Sequence, residues 1–213
     1  MTQGKLIVLD GTDGSGKETQ TRLLEDRLND EGIHVVKYTF PNYDTFFGKM
    51  ISEYLDGEYG PTTNFHPKMA SILYAFDRWK VAREIKEHLK MGKYVICDRY
   101  VESNIGYQQA KLPEDQRKIF SDWLNQLEHT ELDIPESDVV IFLRVPAEIS
   151  SSNMLNRKKL DGHEQDLIYQ HKVLESYESL ANSVNKWKII ECTINGKMRS
   201  REEIHNDIYN SIQ

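Results

Sequence analysis

The segment Gly11-Thr12-Asp13-Gly14-Ser15-Gly16-Lys17 constrains this chain more than any other. It is a Gly-x4-Gly-Lys motif. It directly follows the short apolar run Lys5–Asp10, which reads as a buried strand, and directly precedes Lys17–Glu31, where Leu23, Leu24, Arg27 and Leu28 fall at helical spacing. Strand, glycine-rich turn and helix N-terminus in that order form a phosphate cradle. The glycines let successive backbone N–H groups converge on one point, and the helix start adds a positive dipole end. Lys17 is placed to reach the β- and γ-phosphates of a nucleotide. A chain built around such a turn is committed to an α/β fold.

The remainder of the chain alternates accordingly. Strands are expected at 33–40, stopped by Pro41, and at 94–98, 138–145 and 187–192. Helices are expected at 46–55, 67–91, 113–132, from Pro146 to about Arg157, 166–185 and 201–212. With the first strand this gives a five-stranded parallel sheet flanked by helices, a three-layer α/β/α P-loop fold in one domain spanning residues 1–213. The basic, polar stretch from Asn156 to Glu164 reads as a small lid.

Composition narrows the ligands. The net charge of −7 disfavours a nucleic-acid polymer, although a few focused cations can still bind small phosphates. No apolar run approaches the roughly 20 residues that span a bilayer. The N-terminal residues lack a signal-peptide apolar region, so a cytoplasmic location is expected. Cys97 and Cys192 sit in apolar, strand-like runs and read as buried, reduced thiols. The histidines show no metal-ligand spacing.

One position departs from the usual pattern of the motif. The Ser or Thr that normally follows the lysine and holds Mg²⁺ is Glu18, and a hydroxyl arrives one place later at Thr19. A carboxylate in the first helical turn favours the helix but repels phosphate if it points inward. Glu18 is therefore expected to point away, leaving Mg²⁺ to the nucleotide phosphates and water.

Four segments make the chain resemble the thymidylate kinases among the P-loop nucleoside monophosphate kinases. They are the loop from Asp10 to Lys17, Phe40-Pro41-Asn42-Tyr43, Tyr74-Ala75-Phe76-Asp77-Arg78, and Asp98-Arg99-Tyr100-Val101-Glu102-Ser103-Asn104-Ile105-Gly106-Tyr107-Gln108. The resemblance implies Mg²⁺-dependent transfer of the ATP γ-phosphate to dTMP, in the route to dTTP, by a homodimer. It implies that Gly11 to Thr19 hold ATP, that Arg99 grips the acceptor phosphate, and that Asp13 lies near the sugar 3′-hydroxyl and the transferred phosphoryl. Asp13 and Asp98 would help position the magnesium shell, Asp98 through water. Tyr74 would stack on thymine and Arg78 would reach a base carbonyl. Ser103 and Asn104 can bond the base edge. Tyr107 would crowd the sugar 2′ position, with Gln108 nearby and Phe40 and Pro41 completing the acceptor pocket.

Two departures from the family pattern matter. Asn42 and Tyr43 stand after Phe40-Pro41, where an arginine often touches the acceptor phosphate. Tyr43 can still donate a hydrogen bond there. Gly14 stands where one subgroup has a P-loop arginine, and the other subgroup takes its catalytic cations from the lid. Arg157 is the foremost lid candidate, with Lys158 and Lys159 beside it. The rival readings are a kinase for another nucleoside monophosphate and a nucleotide-binding regulator that has lost catalysis.

Overall fold

The computed structural model describes residues 4–154, 161–164, 166–183 and 185–213. Its centre is β1 (Leu6–Asp10), buried along its whole length. It pairs in parallel with β3 (Tyr94–Asp98) on one side and β4 (Val139–Arg144) on the other. The remaining strands, β2 (Val35–Thr39) and β5 (Trp187–Glu191), close the sheet in the order β2-β3-β1-β4-β5, all parallel. A central parallel strand covered on both faces needs apolar residues at every position, and Leu6-Ile7-Val8-Leu9 supplies them.

Side-chain alternation divides the core into two layers. Leu6, Val8, Val95, Cys97, Val140 and Phe142 face one side, and Ile7, Leu9, Ile96, Ile141 and Leu143 the other. On the first side pack α3 (Pro67–Lys90), α4 (Val101–Gln109), α5 (Glu114–Asn125) and α7 (Leu167–Ser183), through Ile85, Ile105, Phe120 and Val173 among others. On the second lie α1 (Lys17–Asp30) and α8 (Arg201–Ser211), through Leu24, Leu28, Ile204 and Ile208. Helix α2 (Phe46–Leu55) packs on α3, and α6 (Ala147–Met154) leads out of β4. The five-stranded, three-layer architecture expected from the sequence is present. Both cysteines are buried and free.

Three elements differ from the expectation. Helix α4 had no sequence signal, because all nine of its residues are buried and polar and apolar side chains share every face. The segment read as one helix over 113–132 changes character: after α5 the backbone makes a π-helical turn over Gln126–Glu131. Past β5 the chain forms a hairpin, β6 (Thr193–Ile194) and β7 (Lys197–Met198), around Asn195 and Gly196. Both turn residues have positive φ, 51° and 73°, as a two-residue hairpin of this hand requires. Strands β2 and β4 are also shorter at their ends than their apolar runs suggest.

Candidate active site

The loop between β1 and α1 turns through Gly11, Gly14 and Gly16, with φ of 146°, 77° and 92°. Gly14 has no room for a side chain: a Cβ there would lie 2.2 Å from the Ser150 carbonyl oxygen on α6. Asn153 Nδ2 donates to the Gly14 carbonyl at 2.9 Å, so loop and α6 are fastened together. Lys17 is buried, and its Nζ turns back to donate to the carbonyls of Thr12 at 2.7 Å and Gly11 at 3.1 Å. Burial, then the neighbouring Arg99 charge, bring its ammonium down to about 8 despite the nearby carboxylates. Glu18 is exposed.

This loop lines a cavity of about 720 Å³ together with Thr19, Asp98 and Arg99. Two further cations, Arg199 after β7 and Arg201 at the start of α8, line it as well. Sequence reasoning missed both, because their sequence distance from the loop hides a packing contact: Gln20 Nε2 donates to the Arg201 carbonyl at 3.0 Å.

A second, smaller cavity of about 70 Å³ opens beside the first. Every residue expected on the acceptor side lines it: Asp13, Phe40, Pro41, Tyr43, Tyr74, Arg78, Arg99, Ser103, Asn104, Tyr107 and Gln108. Asp98 lies in the larger cavity instead. Asp13, Phe40, Pro41, Tyr43, Arg99 and Asp161 line both, so the two spaces meet at the Asp13–Arg99 pair.

That pair is the electrostatic centre. Arg99, with φ of 65°, turns its Nη2 onto Asp13 Oδ1, and Tyr107 OH donates to Asp13 Oδ2 at 2.6 Å. Burial alone would raise the Asp13 carboxyl, but the charges of Arg99 and Lys17 and the Tyr107 hydroxyl hold it down at about 2. Behind it, Asp10 is fully buried. Its Oδ1 accepts from Gly11 N at 2.8 Å and from Ser103 Oγ and Tyr177 OH at 2.7 Å each. Desolvation outweighs these bonds and the Arg99 charge, and pushes Asp10 up to about 6. The Ser103 hydroxyl, expected at a base edge, is thus directed to Asp10.

Helix α3 places Tyr74 and Arg78 on the cavity wall, as their i, i+4 spacing requires. Arg78 does not lie in solvent. It is 2% exposed and forms a two-pronged pair with Glu128 on the π-helical turn, Nε to Oε2 at 2.6 Å and Nη2 to Oε1. Asn104 Nδ2 donates to the same Oε1 at 2.9 Å.

Residues 161–164 dock against the far wall, with Gly162 N donating to the Leu55 carbonyl at 3.1 Å. His163 is buried and lies nearly parallel to the Tyr107 ring, 5.9 Å between centroids. Its Nε2 is 2.8 Å from Tyr54 OH, which accepts from Lys111 Nζ at 2.7 Å. Burial, then the Lys111 charge, push His163 down to about 3, and burial lowers Lys111 to about 7. Sequence reasoning assigned none of Asp10, Tyr54, Lys111 and Glu128 to the site and placed His163 only in the lid. Arg157, Lys158 and Lys159 lie outside the described residues.

No group of three His, Cys, Asp or Glu side chains suited to a metal is found among the described residues. Asp13 is paired with Arg99 and Tyr107, and the other carboxylates lining the larger cavity are Asp98, Asp161, Glu164 and Glu18, the last at the exposed start of α1. Carboxylates that are scattered rather than clustered suit Mg²⁺, which keeps several waters and leans on phosphate oxygens. No helix among the described residues is long and apolar enough to cross a membrane.

A family model described as thymidylate kinase matches residues 9–208. The thymidylate kinase of Plasmodium falciparum is 31% identical over 212 residues, covering 99% of this chain and 90% of the relative. A probable thymidylate kinase of Pyrococcus abyssi is 33% identical over 208 residues, covering 97% and 94%. Among solved structures, thymidylate kinase from Candida albicans superposes with a TM-score of 0.77 at 25% identity, covering 99% of this chain and 91% of that one.

Proposed function

The chain belongs to the thymidylate kinase family, and from that membership we propose that it transfers the γ-phosphate of ATP to dTMP, with Mg²⁺, giving dTDP and ADP. The observation that carries this reading is the meeting of two cavities at Asp13 and Arg99. One is rimmed by a phosphate cradle and has room for a nucleoside triphosphate. The other is small, walled by aromatic rings and reached by an arginine fork.

The chemistry asks for positioning and charge neutralisation rather than a covalent intermediate. ATP lies along the Gly11–Thr19 loop with its phosphates on the backbone N–H groups, and Lys17 exchanges its carbonyl partners for phosphate oxygens. The acceptor phosphate takes Arg99, whose planar fork suits a bidentate grip. Asp13, released from that pairing and held by Tyr107, receives the sugar 3′-hydroxyl. Tyr43 stands at the junction of the two cavities. Its phenol, 50% exposed, is protonated at neutral pH as any ordinary phenol is, and can donate to the acceptor phosphate. That role fits the place after Phe40-Pro41 where the family pattern often has an arginine. Asp98 would hold Mg²⁺ through water; when bound, the ion neutralises charge on the phosphates.

Lid cations complete the site in this reading, with Arg157 foremost, since Gly14 leaves the loop without an arginine. Two copies of the chain are expected to pair. Phe46 on α2 and Met69 and Trp79 on α3 are 69%, 56% and 50% exposed, an apolar surface suited to such a contact.

A coupled ADP-release assay with dTMP, dUMP, dCMP, dGMP and AMP at millimolar Mg²⁺ tests the proposal. The highest kcat/KM belongs to dTMP. Best turnover of a purine nucleotide would overturn the substrate assignment, and bound ATP without turnover of any acceptor would point to a regulator instead.

A further inference from the structure

The π-helical turn that follows α5 delivers one side chain to the back of the site. Glu128 is fully buried behind the acceptor cavity and far in sequence from the residues that line it. Turns of this kind widen a helix by one residue and recur at functional sites. Here the turn aims a carboxylate at two residues of the cavity wall, Arg78 and Asn104.

The hydrogen bonds fix the polarity of both. Asn104 Nδ2 has two hydrogens. It donates to Glu128 Oε1 at 2.9 Å and to the Ser71 carbonyl at 3.0 Å. A carboxylate and a carbonyl can only accept, so the amide has one permitted orientation. Its Oδ1 is buried without a partner among the described residues, and Asn104 lines the cavity. Arg78 gives Nε and Nη2 to Glu128, leaving Nη1 as the nitrogen that Glu128 does not take. Arg78 and Asn104 thus both line the cavity, the one with a donor that Glu128 does not take and the other with an acceptor that has no partner among the described residues.

We infer that Glu128 is a positioning residue that sets the hydrogen-bond polarity of the base site, and so makes it accept a 4-oxo pyrimidine and reject a 4-amino one. The inference rests on the proposed thymidylate reading. A 4-oxo pyrimidine offers an acceptor at O4 beside a donor at N3–H. Cytosine offers the reverse, a 4-amino donor beside an acceptor at N3. Each mismatch leaves a buried polar group facing one of its own kind, which costs more than the loss of a bond.

Two measurements test it. The wild-type protein is assayed with dTMP and with the monophosphate of 5-methyldeoxycytidine, which has the same ring, methyl and sugar but the reversed edge. It should prefer dTMP by roughly 10²-fold or more in kcat/KM. Comparable turnover of both would overturn the inference while leaving thymidylate kinase activity intact. Absence of turnover with dTMP would instead remove the functional reading beneath it.

The second measurement uses Glu128→Gln. Its amide must set a donor against Arg78 or Asn104, which leaves the Ser71 carbonyl alone to hold the Asn104 amide in its orientation. The preference for dTMP should fall by about tenfold or more, with the KM for ATP unchanged. A folded variant with an unaltered preference would sink the proposal. A purely structural role would lower the melting temperature and leave that ratio where it was. Should that variant not fold, Glu128→Asp, which keeps the carboxylate but draws it back from Arg78 and Asn104, takes its place under the same readout, and an unaltered preference there would overturn the inference.

Discussion

Lys17 Nζ lies 2.7 Å from the carbonyl oxygen of Thr12, so the one lysine of the phosphate cradle is bonded to the cradle itself. Its charge is desolvated and partly opposed by Arg99. Phosphate relieves both, because it brings negative charge to a lysine already in place. Replacing it by methionine keeps the stem and removes the charge. Lys17→Met is expected to lower kcat by on the order of 10²- to 10³-fold, the usual scale for losing a preorganised donor to the transition state. Single-turnover kinetics with dTMP would check it, and a loss below tenfold would contradict the assigned role.

Tyr107 joins the acid and the arginine of the site to the far wall. Its hydroxyl donates to Asp13 at 2.6 Å, and its ring faces His163. Ring and hydroxyl can be separated. Tyr107→Phe keeps the bulk, so discrimination of dUMP over UMP should persist. Tyr107→Ala opens space beside the sugar, and UMP turnover relative to dUMP should rise by about tenfold or more, a change of ~1.4 kcal/mol in relative transition-state binding. Equal discrimination by both variants would show that the ring does not crowd the 2′ position.

Glu18 occupies the place of a hydroxyl residue yet is exposed at the start of α1. A carboxylate there complements the helix dipole while staying in solvent. Glu18→Ser should leave kcat/KM within about tenfold, or ~1.4 kcal/mol. Complete loss of activity would mean that the carboxylate takes part in metal or phosphate binding.

His163 gives the fold a dependence on pH. It is buried and neutral, held down at about 3 against an ordinary 6.5. The unfolded chain takes up its proton as pH falls below 6.5, and the folded chain does not until about 3. The contribution is therefore complete above 6.5 and is lost progressively between those values, at up to about 1.4 kcal/mol per pH unit. Asp10 and Asp161, both raised to about 6 from 3.8, act in the opposite sense across part of that range. Comparing urea midpoints of wild type and His163→Gln isolates the histidine. The variant should lose less stability on acidification, and parallel curves would show that His163 is already charged in the fold.

The sequence exposed those parts of the site that depend on short spacing. The cradle is seven consecutive residues between a strand and a helix. Tyr74 and Arg78 meet because four residues make one helical turn. Asp98 and Arg99 end a strand at the side where such sheets gather ligands. Long-range packing was not readable in the same way. Helix α4 has no apolar stripe, because its polar side chains are buried against Asp10, Glu128 and the cavity. Glu128 belongs to a stretch that reads as ordinary helix, and only the π-helical backbone turns it inward. Tyr54, Lys111 and His163 come from three distant segments and meet through bonds that no local pattern encodes. The bond from the Ser103 hydroxyl to Asp10 is hidden for the same reason, since the two residues are far apart in sequence.

Strands β1 and β3 are direct neighbours, with Leu9 opposite Asp98. The donor cradle grows from the end of one and the acceptor clamp from the end of the other. Neighbouring strands stand about 4.8 Å apart, and a shift of one residue along a strand is about 3.3 Å. A misplacement of only ~1 Å can cost a reaction about 10²-fold. The peptide ladder is thus the gauge block of this enzyme: the span a phosphorus atom must cross is machined by backbone hydrogen bonds, and side chains work inside a tolerance they did not set.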